Sequence, residues 1–211
     1  MLISSFPVSL ADRAELNPGL VRLPASWDEY LDLLEVCEYA IEFEDNEIIL
    51  MSIASNPHEA IVANILGILY NLLDAQPDKH ALGSNRHIFI PEFEADYAPD
   101  AHVVQGKPVE HVLRKGLTAN LNPVIIFEVL SPSTREHDLG TKLLRYKKIP
   151  SVRQIIYIEQ TQPAISVYTR IGDSNRWENE DFDALDQSLL LEGQPVAVHN
   201  FYKKIIFEGI E

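Results

Sequence analysis

Cysteine is almost missing from this chain: one stands in 211 residues. A lone Cys37 excludes an intramolecular disulfide and a Cys-based zinc site. It follows the apolar stripe of the first expected helix and reads as a core or boundary residue. Positive charge is also scarce, with 17 Lys and Arg against 32 Asp and Glu, a net charge of −15. Binders of polyanions usually carry a basic surface. The composition therefore argues against general electrostatic attraction to nucleic acid, and leaves a local basic patch or bridging by metal ions. Arg135, Lys142, Arg145, Lys147 and Lys148 form one basic group, with Lys107, Arg114 and Lys115 in a loop. A solvated basic face is the commoner meaning of such a group. No apolar run is long enough to span a membrane. The N-terminal Met1-Leu2-Ile3-Ser4-Ser5-Phe6 lacks the basic start and long apolar region of a signal peptide. A cytoplasmic protein is the expectation. What the chain does have is 46% hydrophobic residues, enough for a sizeable core at a length that suits one domain.

The pattern along the chain predicts an α/β domain over 26–211, preceded by an irregular arm over 1–25 that carries Pro7, Pro18 and Pro24. Ser26-Trp27-Asp28-Glu29 is a capping box, and Trp27, Tyr30, Leu31 and Leu34 follow at helical spacing. Residues 39–43 and 47–51 flank Asp45-Asn46, a plausible hairpin turn. His58 to Gln76 reads as a strong helix. Its apolar face is wide enough to suggest burial on more than one side, or a subunit contact. Arg86 to Ile90 and Ala101 to Gln105 read as strands, with Glu92, Glu94 and Asp96 as a solvated acidic edge between them. Residues 106–122 read as a loop-rich insertion with room for a short helix. Val124 to Leu130 reads as a buried strand. Thr134 to Ile149 reads as a helix stopped by Pro150, with Asp138, Lys142 and Tyr146 on one face. A second hairpin over 153–169, further β structure over 176–191 and a short closing helix over 199–207 complete a mixed sheet.

Glu128 carries the chemistry of this pattern. It stands in Val124-Ile125-Ile126-Phe127-Glu128-Val129-Leu130, at the C-terminal end of an apolar strand. Burying a lone carboxylate is costly unless it is paired, hydrogen-bonded or bound to metal. Asp100, between Pro99 and the strand Ala101-His102-Val103-Val104, has a similar setting. Two such acids, with a Lys-bearing helix after the second, suggest a divalent-metal site for phosphodiester hydrolysis. Magnesium held by two or three carboxylates keeps water positions open for that reaction. Glu42, between Ile41 and Phe43, is a third candidate acid. Lys142 is placed to orient a water or neutralise phosphate charge. Each residue also has a plainer reading. Glu128 could cap the helix start near Ser133 or pair with Arg135. Asp100 could be a turn residue. Glu42 could be solvated on an outer face, and Lys142 a surface partner of Asp138.

Taken in order, Tyr39 to Met51, His58, Pro99-Asp100, Phe127 to Thr134 and Asp138-x-x-x-Lys142-x-x-x-Tyr146 resemble the Uma-type restriction endonuclease family, within the PD-(D/E)XK nuclease superfamily. The resemblance covers roughly residues 26 to 170. It implies a restriction-endonuclease-like α+β core: a mixed, mostly antiparallel sheet flanked by helices. Asp100 matches the Asp of the superfamily motif, Glu128 its second acid, Glu42 the acid of the first hairpin and Lys142 a Lys displaced onto the following helix. His58 matches a His of the family that contacts phosphate, metal or neither. Ser131, Asp138 and Tyr146 fall around the same site. The superfamily's Lys two residues after the second acid is here Leu130, so a helix-borne Lys142 must reach over in its place. Asn46 replaces a hairpin Gly common among relatives, and Ile155-Ile156 stands where relatives often have Tyr-Trp.

These readings imply a metal-dependent DNA endonuclease, with Asp100 and Glu128 holding magnesium or manganese. The alternative is a catalytically idle nuclease fold kept as a dimeric interaction module, which the acidic composition favours. A homodimer is expected from the wide apolar face of the 58–76 helix and from the need of duplex cutters to act on two strands.

Overall fold

The fold is taken from a computed structural model that describes residues 6–16 and 19–207. Chain order is α1 (Leu10–Glu15), β1 (Val21–Pro24), α2 (Trp27–Leu34), β2 (Ile41–Glu44), β3 (Glu47–Leu50), α3 (Asn56–Leu73), β4 (Lys79–Gly83), β5 (Ile88–Ile90), β6 (Ala95–Tyr97), β7 (Ala101–Gln105), β8 (Glu110–Arg114), β9 (Leu117–Asn120), β10 (Pro123–Leu130), α4 (Arg135–His137), α5 (Leu143–Tyr146), β11 (Gln154–Glu159), β12 (Ile165–Arg170), β13 (Trp177–Phe182), β14 (Ser188–Leu191) and β15 (Gln194–Ala197). A seven-stranded sheet runs β1-β3-β2-β6-β5-β9-β8 and a six-stranded sheet runs β13-β12-β11-β10-β7-β4, with β14-β15 as a separate ribbon. Pairing is mostly antiparallel. The parallel pairs are β10–β11 and β5–β9. The expected mixed α/β architecture is the one observed.

Local chemistry explains the start of the chain. The Ser26 hydroxyl accepts from the Glu29 N–H, and the Glu29 carboxylate accepts from the Ser26 N–H, which closes the capping box of α2. Asp45 and Asn46 both take positive φ, 52° and 59°, the backbone a two-residue hairpin turn of this hand requires. The arm is more ordered than its prolines suggest. Ser9 caps α1 and β1 pairs with β3, so residues 21–24 extend the sheet. Pro18 and the first five residues of the arm lie outside the described residues.

The six-stranded sheet is covered on both faces. Ile61, Ile65, Leu69 and Leu73 of α3 pack onto Val103, Ile125, Phe127 and Ile156. The neighbouring α3 residues Ile68 and Leu72 pack into the same cluster, with Val196, Phe201 and Tyr202 of the C-terminal segment. The extra apolar width of this helix is thus used within the chain. On the other face, Leu143, Tyr146 and Ile149 meet Ile126, Leu130, Ile155 and Tyr157.

Three expectations are corrected. Residues 106–122 are a β8–β9 hairpin, because Gly116 at φ 90° permits a turn between strands that pair from Glu110↔Asn120 to Arg114↔Leu117. Residues 134–149 are no continuous helix. The segment Asp138–Lys142 widens to a π turn in which Gly140 leaves helical geometry (φ −95°, ψ −110°). Residues 199–207 form one tight turn, Val198–Asn200, and further turns in place of a closing helix.

Candidate metal-binding cleft

A cavity of about 450 Å³ opens where β7, β10, the start of α3 and the turn before α4 meet. Asp100, Glu128, His58, Ser131 and Asp138 line it. Topology brings the two principal acids together. β7 and β10 are antiparallel neighbours with Ala101 opposite Phe127, so Asp100 arrives beside the end of β10. The Val129 N–H donates to Asp100 Oδ2 at 2.6 Å, and His58 Nε2 stands 3.4 Å from Oδ1. Asp100 is therefore more than a turn residue. Burial pulls the His58 imidazole pKa down, but the Asp100 carboxylate outweighs it and the net shift is upward.

Glu128 is buried and does not meet Arg135, whose partner is Glu159. Tyr146 donates to Glu128 Oε1 at 2.7 Å, and Lys142 Nζ lies 2.9 Å from the same oxygen. Both contacts fall on Oε1, which leaves Oε2 for the cleft. Ser131 accepts the Thr134 N–H and exchanges hydrogen bonds with the hydroxyls of Ser133 and Thr134, tightening the turn below Glu128.

Lys142 and Glu42 stand behind this wall, each fully buried. The surface reading of Lys142 and the solvated reading of Glu42 are both excluded. Lys142 donates to Glu42 Oε1 at 2.8 Å and approaches Asp138 Oδ1 at 3.6 Å. Glu42 Oε1 also accepts the Ala98 N–H at 2.9 Å, two residues before Asp100. Glu42 thus anchors the loop that delivers Asp100. Asp138, Lys142 and Tyr146 converge on one spot across the kink at Gly140.

The charges in this cluster do not balance. One ammonium faces Glu42, Glu128 and Asp138, with Asp100 close by. Burial drives the Glu128 carboxyl well above its ordinary value; Lys142 opposes this, and the three other acids push it further up. Burial likewise raises Asp138. For Glu42, burial is outweighed by Lys142 and His137, and the carboxyl stays below its ordinary range. Lys142 remains charged, because its acidic partners overcome desolvation. Asp138 Oδ1 has no hydrogen-bond partner. Asp138 Oδ1 instead faces Lys142, and three carboxylates around one ammonium beside an open cleft suit a divalent cation. Among the described residues, no three His, Cys, Asp or Glu side chains form a ready-made metal cage.

Sequence reasoning missed the second layer. His137 Nδ1 lies 3.0 Å from Arg22 Nη2, and its Nε2 lies 3.6 Å from Glu42 Oε2. Glu44 binds Arg22 and Arg145, and Arg145 reaches Asp45 in the hairpin turn. Its strand, Ile41-Glu42-Phe43-Glu44, alternates apolar and acidic residues, a pattern that suggests one wet face; only the packed α4–α5 segment shows that face to be covered. The expected basic group disperses for the same reason: Lys142 and Arg145 are buried ion-pair partners, and Arg135 pairs with Glu159. Lys147 lies over Tyr168 and Trp177, and Arg114 pairs with Asp32 and Glu35. Asp96, expected on a solvated edge, is buried between Tyr30 and His87, while Glu92 and Glu94 are exposed.

This fold is that of restriction-endonuclease-like nucleases. A solved chain described as "a putative nuclease belonging to DUF820 from Anabaena variabilis ATCC 29413" aligns with a TM-score of 0.68 at 20% identity, over 85% of this chain and 98% of that one. The chain belongs to the Uma2 family, described as "Putative restriction endonuclease", whose profile matches residues 27–199. Two Synechocystis sp. proteins are similar to it. Uncharacterized protein sll1609 is 30% identical over 146 residues, 69% of this chain and 80% of that one. Uncharacterized protein slr1290 is 27% identical over 181 residues, 85% of this chain and 92% of that one.

Proposed function

We propose that this protein is a metal-dependent endonuclease that hydrolyses DNA phosphodiester bonds. The observation that carries this reading is the convergence of Asp100 and Glu128 on one cleft, backed by a cluster in which Glu42, Glu128 and Asp138 face one ammonium. The family and the structural neighbour support nuclease function in general.

Asp100 and Glu128 would hold magnesium or manganese, and two carboxylates leave most of such an ion's shell to water and phosphate oxygens. When bound, the ion supplies an activated water and charge neutralisation on the phosphate. The chain's own residues orient the groups around it. The Val129 N–H and His58 hold Asp100; Tyr146 and Lys142 hold Glu128. Lys142 lies outside the cleft lining, so its charge acts through Glu128 and Glu42. His58 lies on the lining beside Asp100 and is placed to meet phosphate. The protein would act as a homodimer, since a duplex offers two strands to cut.

The test is cleavage of supercoiled plasmid and of single-stranded DNA with manganese or magnesium, for wild type and Asp100→Ala. Metal-dependent cleavage lost in the variant supports the proposal. A wild type that neither cuts nor binds metal supports the idle interaction module instead. Asp100→Ala and Glu128→Ala are each expected to weaken manganese binding by more than about tenfold, read by isothermal titration, with the fold intact by circular dichroism.

A further inference from the structure

A second cavity, of about 410 Å³, lies beside the metal cleft. The two share a wall, because Tyr39, Ala40 and Ser84 line both. The β8–β9 hairpin contributes Leu113, Leu117 and Thr118 to the second cavity, and α2 contributes Leu34. Ile41 joins these aliphatic residues, and Glu38, Asn85, Arg86 and His87 supply a polar side. Arg86 is committed to the Thr118 carbonyl and Glu110, and Glu38 accepts the Leu10 N–H. Among the described residues, the exposed Asn85 amide forms no side-chain hydrogen bond. His87 is held from behind: its Nδ1 lies 2.8 Å from Asp96 Oδ2, and Tyr30 donates to the same oxygen at 2.5 Å. That bond fixes the ring and leaves Nε2 for the cavity. A packing void is apolar throughout. Ligand sites combine apolar walls with a few convergent polar groups, at volumes of about 300–1,000 Å³.

We propose that this cavity receives one unstacked nucleobase of the strand whose phosphate lies at Asp100 and Glu128. The inference rests on the nuclease reading above. Adjacency of the two cavities allows the second occupant to be a covalent neighbour of the first. Leu34, Leu113 and Leu117 match the faces of a base, and Asn85 and His87 match its hydrogen-bonding edge. The protein's net charge of −15 also leaves little affinity to come from phosphate neutralisation. Burial of a base supplies affinity that needs no positive surface.

The experiment is fluorescence anisotropy with a short single-stranded oligodeoxynucleotide and a fully abasic strand of the same length. Calcium replaces magnesium to stop turnover. Wild type is expected to prefer the intact strand by about tenfold. Leu117→Trp fills the cavity, and Asn85→Ala removes a polar edge at an exposed position where folding is not at risk. Each is expected to cut the preference to about twofold or less, with affinity for calcium alone unchanged. No preference in wild type, or a wild-type preference kept in either variant, overturns the base site and leaves the nuclease reading standing. Failure of wild type to bind either strand, with no cleavage under manganese, overturns both.

Discussion

At the scale of the residue, the decisive fact is that Lys142 is buried among acids instead of projecting into the cleft. Removing one partner of a buried ion cluster leaves the others without compensation. Lys142→Ala is therefore expected to cost about 3–5 kcal/mol, measured by urea unfolding. His102 makes a second prediction. Burial lowers its pKa from 6.5 to about 4, with Arg86 and His87 adding to the effect. Asn120 Nδ2 donates to Nε2 at 2.9 Å, which a second ring proton would prevent. The folded protein therefore keeps His102 neutral where the unfolded chain takes up a proton. Its contribution is present above about pH 6.5 and is lost as pH falls toward 4, a difference of about 3 kcal/mol. His58 and His87 have raised pKa values and act with the opposite sign: their contributions are full below pH 6.5 and fade as pH rises through the folded values. The readout is thus the difference between wild type and His102→Gln, whose stability curves should converge toward low pH.

At the scale of the element, the hairpin and the helix caps were legible because their signals are local. Asn46 at φ 59° sits where glycine is free of strain. Asn46→Gly is expected to raise stability by a few tenths of a kcal/mol to about 1 kcal/mol, seen as a higher melting temperature. The end of α5 depends on a distant residue. Arg170, from β12, donates to the carbonyls of Lys147, Ile149 and Val152 at 2.7–2.9 Å, and Lys147 and Ile149 lie just past the C-terminal end of that helix. Arg170→Ala should cost about 2–4 kcal/mol by chemical denaturation and loosen the segment that carries Lys142. The β8–β9 hairpin escaped sequence reading because Glu110-His111-Val112-Leu113-Arg114 has weak alternation and lies near the sheet edge.

At the scale of the whole molecule, acidity and nuclease chemistry are reconciled by where the charges lie. Most of the expected basic group is consumed in internal pairs, so few cations remain to meet phosphates. DNA binding under calcium should show a shallow salt dependence, with a slope of log affinity on log salt no steeper than about −3. The wide face of α3 packs largely on the sheet and the C-terminal segment, so its width does not by itself call for a dimer. Light scattering at twice the 23.9 kDa chain mass would support the proposed homodimer, and the single-chain mass would remove it.

Sequence by itself determined the fold class, the capping box and the first hairpin, and singled out Asp100 and Glu128, which line one cleft. These rest on periodicity, turn chemistry and the cost of placing a carboxylate in an apolar strand, all of which act over a few residues. It left Glu42 and Lys142 undecided between surface and interior. Tertiary structure settled both, by laying the α4–α5 segment over the face of β2 that carries Glu42 and Glu44. It also separated the cleft lining from the ion cluster behind it and set a second cavity beside the cleft. Those arrangements arise from contacts such as Glu42 with Lys142, 100 residues apart, whose energy depends on burial and mutual distance. Neither quantity is written in the local order of the residues.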